Sequence, residues 1–157
     1  MFKELFFLAK MLFKSKPCDY EEVKIDKLCH FPFKGFAWMM WCGVIYCRAD
    51  EYERRIKQIT KQTLNHENIH LSQAKEKGTW CKYYLKYLWE WLKSWPIFPP
   101  YDSGPYYTIP YEMEAYANEI NLEYKHTSES LKKYNLKHRR RVFREHKYDW
   151  KNYIRSL

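Results

Sequence analysis

Glycine is scarce in this sequence, with four residues among 157. Glycine-rich loops that bind phosphate through backbone amides are therefore not expected, and neither a G-x-G-x-x-G nor a Walker pattern occurs. Long apolar runs are missing as well. The apolar run near the N-terminus, Leu5–Ala9, is too short for a signal-peptide core or a membrane span. These absences argue against a nucleotide-binding loop and an integral membrane protein, and they favour a cytoplasmic location.

Cysteine pairs with metal-binding or redox spacing are also absent. The five cysteines are odd in number, and none forms a C-x-x-C pair. Cys42 and Cys47 are five residues apart, so on one strand they would point to opposite faces. We expect reduced thiols in the core of a cytoplasmic protein.

Acidic residues are outnumbered by basic ones, 19 to 28, which gives a net charge of +9. Such a charge is typical either of a protein with an anionic partner, such as nucleic acid or acidic lipid, or of a lysine-rich solvated surface. No nucleic-acid signature accompanies it, so the solvated surface is favoured.

The two ends of the chain present the same choice between an external partner and the protein's own surface. Residues 1–14 predict an amphipathic helix that either lies on a membrane surface or packs on its own domain, and the basic tail 125–157 is either an anion-binding site or a solvated helix face. Packing on the domain is favoured for both.

Aromatic residues are abundant, at 20% of the chain, and argue for a folded core. We expect one domain over residues 1–157, with an N-terminal amphipathic helix over 1–16, a core over 20–124 and a helical tail over 125–157. Short strands are predicted between residues 20 and 48, and the apolar run Trp38–Tyr46 is typical of a strand covered on both faces. The fold class is therefore α+β, mainly helical, with a small sheet that precedes the longest helix.

That helix is predicted over residues 51–77, with Asp50 as its N-cap and Gly78 as its C-cap. An aromatic helix over 80–95 follows, whose aromatic stripe is more typical of a core than of a ligand site, although it could also form a cleft wall. A proline-rich loop over 96–105 comes next and is typical of a cleft rim. Another helix begins at Pro110, with Thr108 as a possible cap.

The stretch Asn65–Gln73 carries the sequence's most specific motif, H-E-x-x-H, formed by His66, Glu67 and His70. Residues four apart lie on one face of a helix, so two imidazoles can bind one Zn²⁺ from the same side. The glutamate after the first histidine can take a proton from a water bound to that metal. The motif therefore predicts a zinc site.

A helical wheel places this motif on the apolar face. Taking His66 as the origin, Ile59, His70, Gln73 and Lys77 fall within about 40° of it. Two inward histidines with an inward glutamate are hard to satisfy without a cation, because burying a bare carboxylate costs several kcal/mol. A metal is favoured over a metal-free polar network.

Two histidines need a third protein ligand, and the helix after Pro110 offers one. The wheel directs Glu112 inward, whereas Glu114 is predicted to point about 160° away. Glu112 is therefore the predicted ligand, although a first-turn glutamate also suits the helix dipole. Glu119, two turns on, is the alternative ligand or a partner of a ligand.

These residues resemble the gluzincin branch of zinc metallopeptidases, and more closely small, largely uncharacterised bacterial zincin-like domains. The resemblance spans roughly residues 35–124 and is carried by an H-E-x-I-H-x-x-Q helix, which includes Gln73, followed by a P-Y-E-x-E-A-Y helix. It implies one Zn²⁺ held by His66, His70 and Glu112, with Tyr116 supporting a metal-bound histidine where many gluzincins have aspartate. It identifies no donor for the substrate carbonyl; Tyr106, Tyr107 and His126 are the possibilities.

The resemblance implies a zinc-dependent metallopeptidase whose substrate is a peptide or protein, with Glu67 as the base. An exposed strand edge near Trp38–Tyr46 could pair with an extended peptide. The alternative is a zincin-like binding or regulatory module without turnover. A protein bound to nucleic acid or to an acidic membrane surface is the least favoured interpretation.

Overall fold

Three strands between residues 24 and 48 form a small mixed sheet. The computed structural model describes residues 2–95, 104–146, 149 and 152–153. Strand β1 (Lys24–Leu28) pairs parallel with β3 (Val44–Arg48), and β2 (Met39–Trp41) pairs antiparallel with the other side of β3. The strand β3 is therefore central and buried on both faces, as predicted for part of the apolar run.

That run forms two strands instead of one, which corrects the sequence interpretation. Cys42 and Gly43 join β2 to β3 in a two-residue turn, and both have positive φ, 49° and 79°. Such a turn matches the twist of a hairpin, and glycine accepts this conformation without strain. Cys42 and Cys47 are buried thiols as expected, but Cys18 and Cys29 are exposed, so the expectation of core thiols is wrong for these two.

Helices make up most of the remaining described structure. They are α1 (Phe2–Lys14), a short 3-10 helix (Pro17–Asp19), α2 (Tyr52–Ile56), α3 (Lys61–Lys77), α4 (Trp80–Ser94), α5 (Gly104–Tyr107), α6 (Pro110–Asn118), α7 (Ser128–Lys132) and α8 (Leu136–Glu145). The molecule is thus an α+β protein with a small three-stranded sheet. The proline-rich loop predicted over 96–105 lies for the most part outside the described residues.

The helix predicted over 51–77 is divided into α2 and α3. Thr60 is extended and caps α3, because its hydroxyl accepts a hydrogen bond from the Thr63 backbone N–H. Ile59 therefore lies outside the helix, and its place on the predicted wheel is wrong. Asp50 is not a cap, since its carboxylate accepts from the Arg48 guanidinium instead. Gly78 is the left-handed C-cap, as predicted.

The main core forms where α3 packs against α4 and α6. Leu71, Trp80, Tyr83 and Tyr111 belong to one buried cluster between these helices. Helix α6 begins with Pro110 in its first turn, as predicted, but its N-cap is Ile109 and not Thr108. Burial of this aromatic cluster fixes α3 and α6 side by side and brings their polar residues together.

The basic tail is only partly a solvated surface. The Arg139 side chain in α8 is buried and donates to the Ser94 hydroxyl and the Thr108 carbonyl, beside the Glu90 carboxylate. Desolvation of this cation is offset by that carboxylate, so Arg139 docks α8 onto α4. Within the described residues, no helix is long and apolar enough to cross a membrane.

Candidate metal centre

Helices α3 and α6 bring three sequence-predicted residues to one point. The Nε2 atoms of His66 and His70 are 3.2 Å apart. Glu112 Oε2 lies 3.5 Å from His66 Nε2, and Glu112 Oε1 lies 3.2 Å from His70 Nε2. Ligand atoms bound tetrahedrally to one zinc ion at about 2.0 Å lie about 3.3 Å from one another. One ligand atom from each of the three side chains lies within 4.8 Å of the other two, so the three can hold one metal ion.

Hydrogen bonds at the far side of each ring determine which nitrogen is free. His66 Nδ1 is 2.9 Å from Glu119 Oε2, and His70 Nδ1 is 2.8 Å from Gln73 Oε1. Both partners are acceptors, so each Nδ1 carries the proton and donates it. Both Nε2 atoms consequently face Glu112, and these are the nitrogens that would bind a metal in place of a proton.

Glu112 supplies a further sign that a cation belongs here. Its Oε1 accepts a hydrogen bond of 2.8 Å from the Tyr87 hydroxyl, but its buried Oε2 accepts none. An ionised oxygen in this position is costly unless a positive charge lies beside it. The donor set of two imidazoles and one carboxylate is one that Zn²⁺ accepts. The residues thus fit a zinc ion.

The electrostatics of the three groups are strongly coupled. Burial acts to raise the pKa of Glu112, but the two histidines outweigh it and hold that pKa well below its ordinary value. Burial acts to lower the pKa of His66, but Glu112 and Glu119 outweigh it and raise the pKa to about 10. The negative charges of Glu112 and Glu119 therefore favour a positive charge between them, which either protons on the histidines or a metal ion can provide.

Glu67, the predicted base, lies at the edge of this cluster. Its side chain is half-buried and lines the cavity onto which His66, His70 and Glu112 also open. Burial raises the pKa of Glu67, although the neighbouring histidines act in the opposite direction. A carboxyl group with a raised pKa beside a metal site is suited to accept and return a proton.

The cavity has a volume of about 830 Å³ and is mainly aromatic. Residues of α4, including Tyr84, Tyr87 and Trp91, form one wall, while Trp80 and Tyr83 of the same helix belong to the core, so the helix has both of the roles considered for it. The edge strand β2 forms another wall with Met39, Met40 and Trp41. The cavity is therefore large enough for several side chains of a ligand and offers strand edge on one side.

Glu119, rather than Tyr116, supports His66. The Tyr116 ring packs edge-on against the His66 ring at 4.5 Å between centroids, and its hydroxyl interacts with Tyr107. The His66 Nδ1–H donates its hydrogen bond to the Glu119 carboxylate, whose other oxygen accepts from Gln62 at 2.6 Å. Sequence reasoning named both residues but assigned the supporting bond to the tyrosine.

Glu114 is fully buried, and the predicted outward orientation is wrong. Its carboxylate accepts from Gln73 Nε2 at 2.8 Å, which turns Gln73 Oε1 toward His70. The same carboxylate binds Tyr124 and His126. The wheel failed because α7 and the segment before it cover this side of α6, a tertiary contact that helical phase does not contain.

Three residues were considered as donors of a hydrogen bond to a substrate carbonyl, and the structure places them in different surroundings. Tyr106 lines the cavity onto which Glu112 also opens. Tyr107 packs against Tyr106 and Tyr116, and His126 is held between Glu114 and Glu76. Tyr106 alone of the three borders the cavity. The Tyr87 hydroxyl on Glu112 is a contact that sequence reasoning missed, because an aromatic helix gives no sign of which hydroxyl faces a carboxylate.

Neither a family model, nor a curated protein, nor a solved structure matches this chain.

Proposed function

We propose that this protein is a zinc-dependent metallopeptidase of zincin-like type. The observation that supports it most is the juxtaposition of His66, His70 and Glu112, spaced as zinc ligands, with the carboxylate of Glu67 on the same cavity. A metal site that is closed on one side by Glu119 and Gln73 and open to an 830 Å³ cavity on the other leaves room for water and substrate.

His66, His70 and Glu112 would hold the zinc ion. When bound, zinc supplies a polarised water and a Lewis acid for a carbonyl oxygen. Glu119 and Gln73 keep the two imidazoles in the Nδ1–H form, so that both Nε2 atoms remain available. Tyr87 holds Glu112 by one oxygen and leaves the other for the metal.

Glu67 has the role of general base. Its half-buried carboxylate accepts a proton from the attacking water and returns it to the leaving amine, and its raised pKa makes it a stronger base than an ordinary glutamate. Tyr106 lies at the cavity next to Glu112 and is placed to donate a hydrogen bond to a substrate carbonyl. The edge of β2 can pair with an extended peptide.

Glu67→Gln tests the proposal, because glutamine preserves size and removes the base. We expect this variant to retain one zinc per chain and to lose peptide cleavage by at least about 100-fold. The assay is digestion of a broad peptide library by the zinc-loaded wild type and variant in parallel. Glu22→Gln, an exposed glutamate remote in sequence from the motif, serves as the matched control and should cleave like wild type.

Zinc-loaded wild type that cleaves no peptide in the library would contradict the peptidase proposal. It would favour the binding or regulatory module, which needs the metal but not the base. Cleavage that persists unchanged in Glu67→Gln would contradict the assigned role of this residue.

A further inference from the structure

Helix α4 presents an apolar stripe to solvent on the face opposite the core. Leu85 is 67% exposed and Trp89 is 56% exposed. The stripe also includes Leu88, Leu92 and Trp95, at intervals of three or four residues, so that its members lie along one side of the helix. Exposed leucine and tryptophan in this continuous arrangement, unlike scattered apolar residues, mark an interaction surface.

Helix α1 adds a second exposed apolar surface beside the first. Its exposed aromatic side chains include Phe2, Phe6 and Phe13, and within this helix Leu8 alone is buried. Helix α1 packs against the first turn of α4, where the Cys81 thiol contacts the Leu12 carbonyl at 3.8 Å. Leu85, the first member of the stripe, lies one turn beyond Cys81. The two surfaces therefore adjoin where the helices meet.

The charges on these helices are mainly positive. Helices α1 and α4 together carry six lysines and two glutamates. Glu4 accepts hydrogen bonds from the backbone N–H groups of Cys29 and His30, and Glu90 pairs with Lys86 and Lys93 and lies next to the buried Arg139. Both carboxylates are thus engaged within the protein, and the four lysines outside these pairs are exposed and give the two helices a net positive charge: Lys3, Lys10, Lys14 and Lys82.

From these observations we propose that α1 and the exposed stripe of α4 form a docking surface for an anionic lipid bilayer. Leucine, phenylalanine and tryptophan enter the boundary between headgroups and acyl chains, while lysines contact acidic headgroups. Tryptophan is well suited to this boundary, since its ring is apolar and its N–H is polar. A second copy of the chain fits less well, because two lysine-rich surfaces repel each other. Leu88 belongs to the stripe and also lines the cavity, so docking would bring the cavity close to the bilayer.

Vesicle co-sedimentation tests this surface on the full chain, whether or not the protein cleaves peptides. Vesicles of phosphatidylcholine and phosphatidylserine, mixed at about three to one, should bind wild type at least about tenfold more than vesicles of pure phosphatidylcholine. The double variant Leu85→Glu, Trp89→Glu should lose at least about tenfold in binding to the anionic vesicles. Both side chains are exposed, so the variant should fold, and its near-ultraviolet circular dichroism should match wild type.

Ile120→Glu is the matched control. Ile120 is 70% exposed and follows α6, so it belongs to neither helix of the surface; this variant adds a negative charge without changing a residue of the surface and should bind as wild type does. Three results would overturn the proposal. They are absence of wild-type binding to the anionic vesicles, equal loss in the control and the double variant, and a wild-type dimer in light scattering that the double variant abolishes. The last result would assign the surface to a second copy of the chain.

Discussion

Replacing Glu119 with glutamine should weaken zinc binding by about 10- to 100-fold. Glu119 Oε2 is 2.9 Å from His66 Nδ1, and Gln62 holds the other oxygen at 2.6 Å, so the carboxylate fixes both the tautomer and the direction of the imidazole. Glutamine can occupy the same space, but it lacks the negative charge that increases the basicity of Nε2. The expected loss corresponds to about 1.4 to 2.7 kcal/mol of binding free energy.

The assay is competition with a chromophoric zinc chelator at constant pH. Tyr116→Phe is the control, because it keeps the ring on His66 and removes only a hydroxyl that interacts with Tyr107. Its affinity should stay within about threefold of wild type. Equal affinities of Glu119→Gln and wild type would refute the reasoning. A larger loss in Tyr116→Phe than in Glu119→Gln would return the supporting role to the phenol that the family resemblance implied.

Two further predictions concern stability. Burial acts to lower the pKa of His126, but Glu114 and Glu76 outweigh it and raise that pKa, while the pKa values of both carboxyls are lowered. The cluster therefore stabilises the fold fully between about pH 4.5 and 6.5, and this stabilisation is lost as the pH rises through the folded pKa of His126. His126→Gln should consequently lower the melting temperature more at about pH 6 than at about pH 9. An equal loss at both pH values would contradict this prediction. Gly43→Ala should cost about 2 kcal/mol or more in urea denaturation, because φ is +79° and the new Cβ would lie 3.0 Å from an aromatic ring. Gly78→Ala, with similar φ and open space, should cost less; the reverse order would contradict the steric argument.

Local patterns in the sequence were sufficient to predict which residues come together at the candidate site. The spacing of His66 and His70 places both on one helical face wherever the helix begins, so the division of the predicted helix at Thr60 left the motif unaffected. Glu112 could be chosen because Pro110 fixes the start of α6 and hence the phase of its first turn.

Tertiary contacts determined what the sequence patterns missed. Glu114 is buried by residues that follow α6 in the chain, and Arg139 is buried by partners on α4 and before α6. A helical wheel treats each helix alone and assigns such charged residues to solvent. Glu119 lies just beyond the last residue of α6, so its reach to His66 depends on how α3 and α6 pack, which periodicity does not specify.

The most direct test of the central claim is the zinc content of the purified protein after expression in zinc-supplemented medium. We predict about one equivalent of zinc per chain in wild type, and less than about a tenth in His66→Ala and His70→Ala under the same conditions. Less than about a tenth of an equivalent in wild type, or equal zinc content in wild type and both variants, would contradict the assignment of His66, His70 and Glu112 as a zinc site.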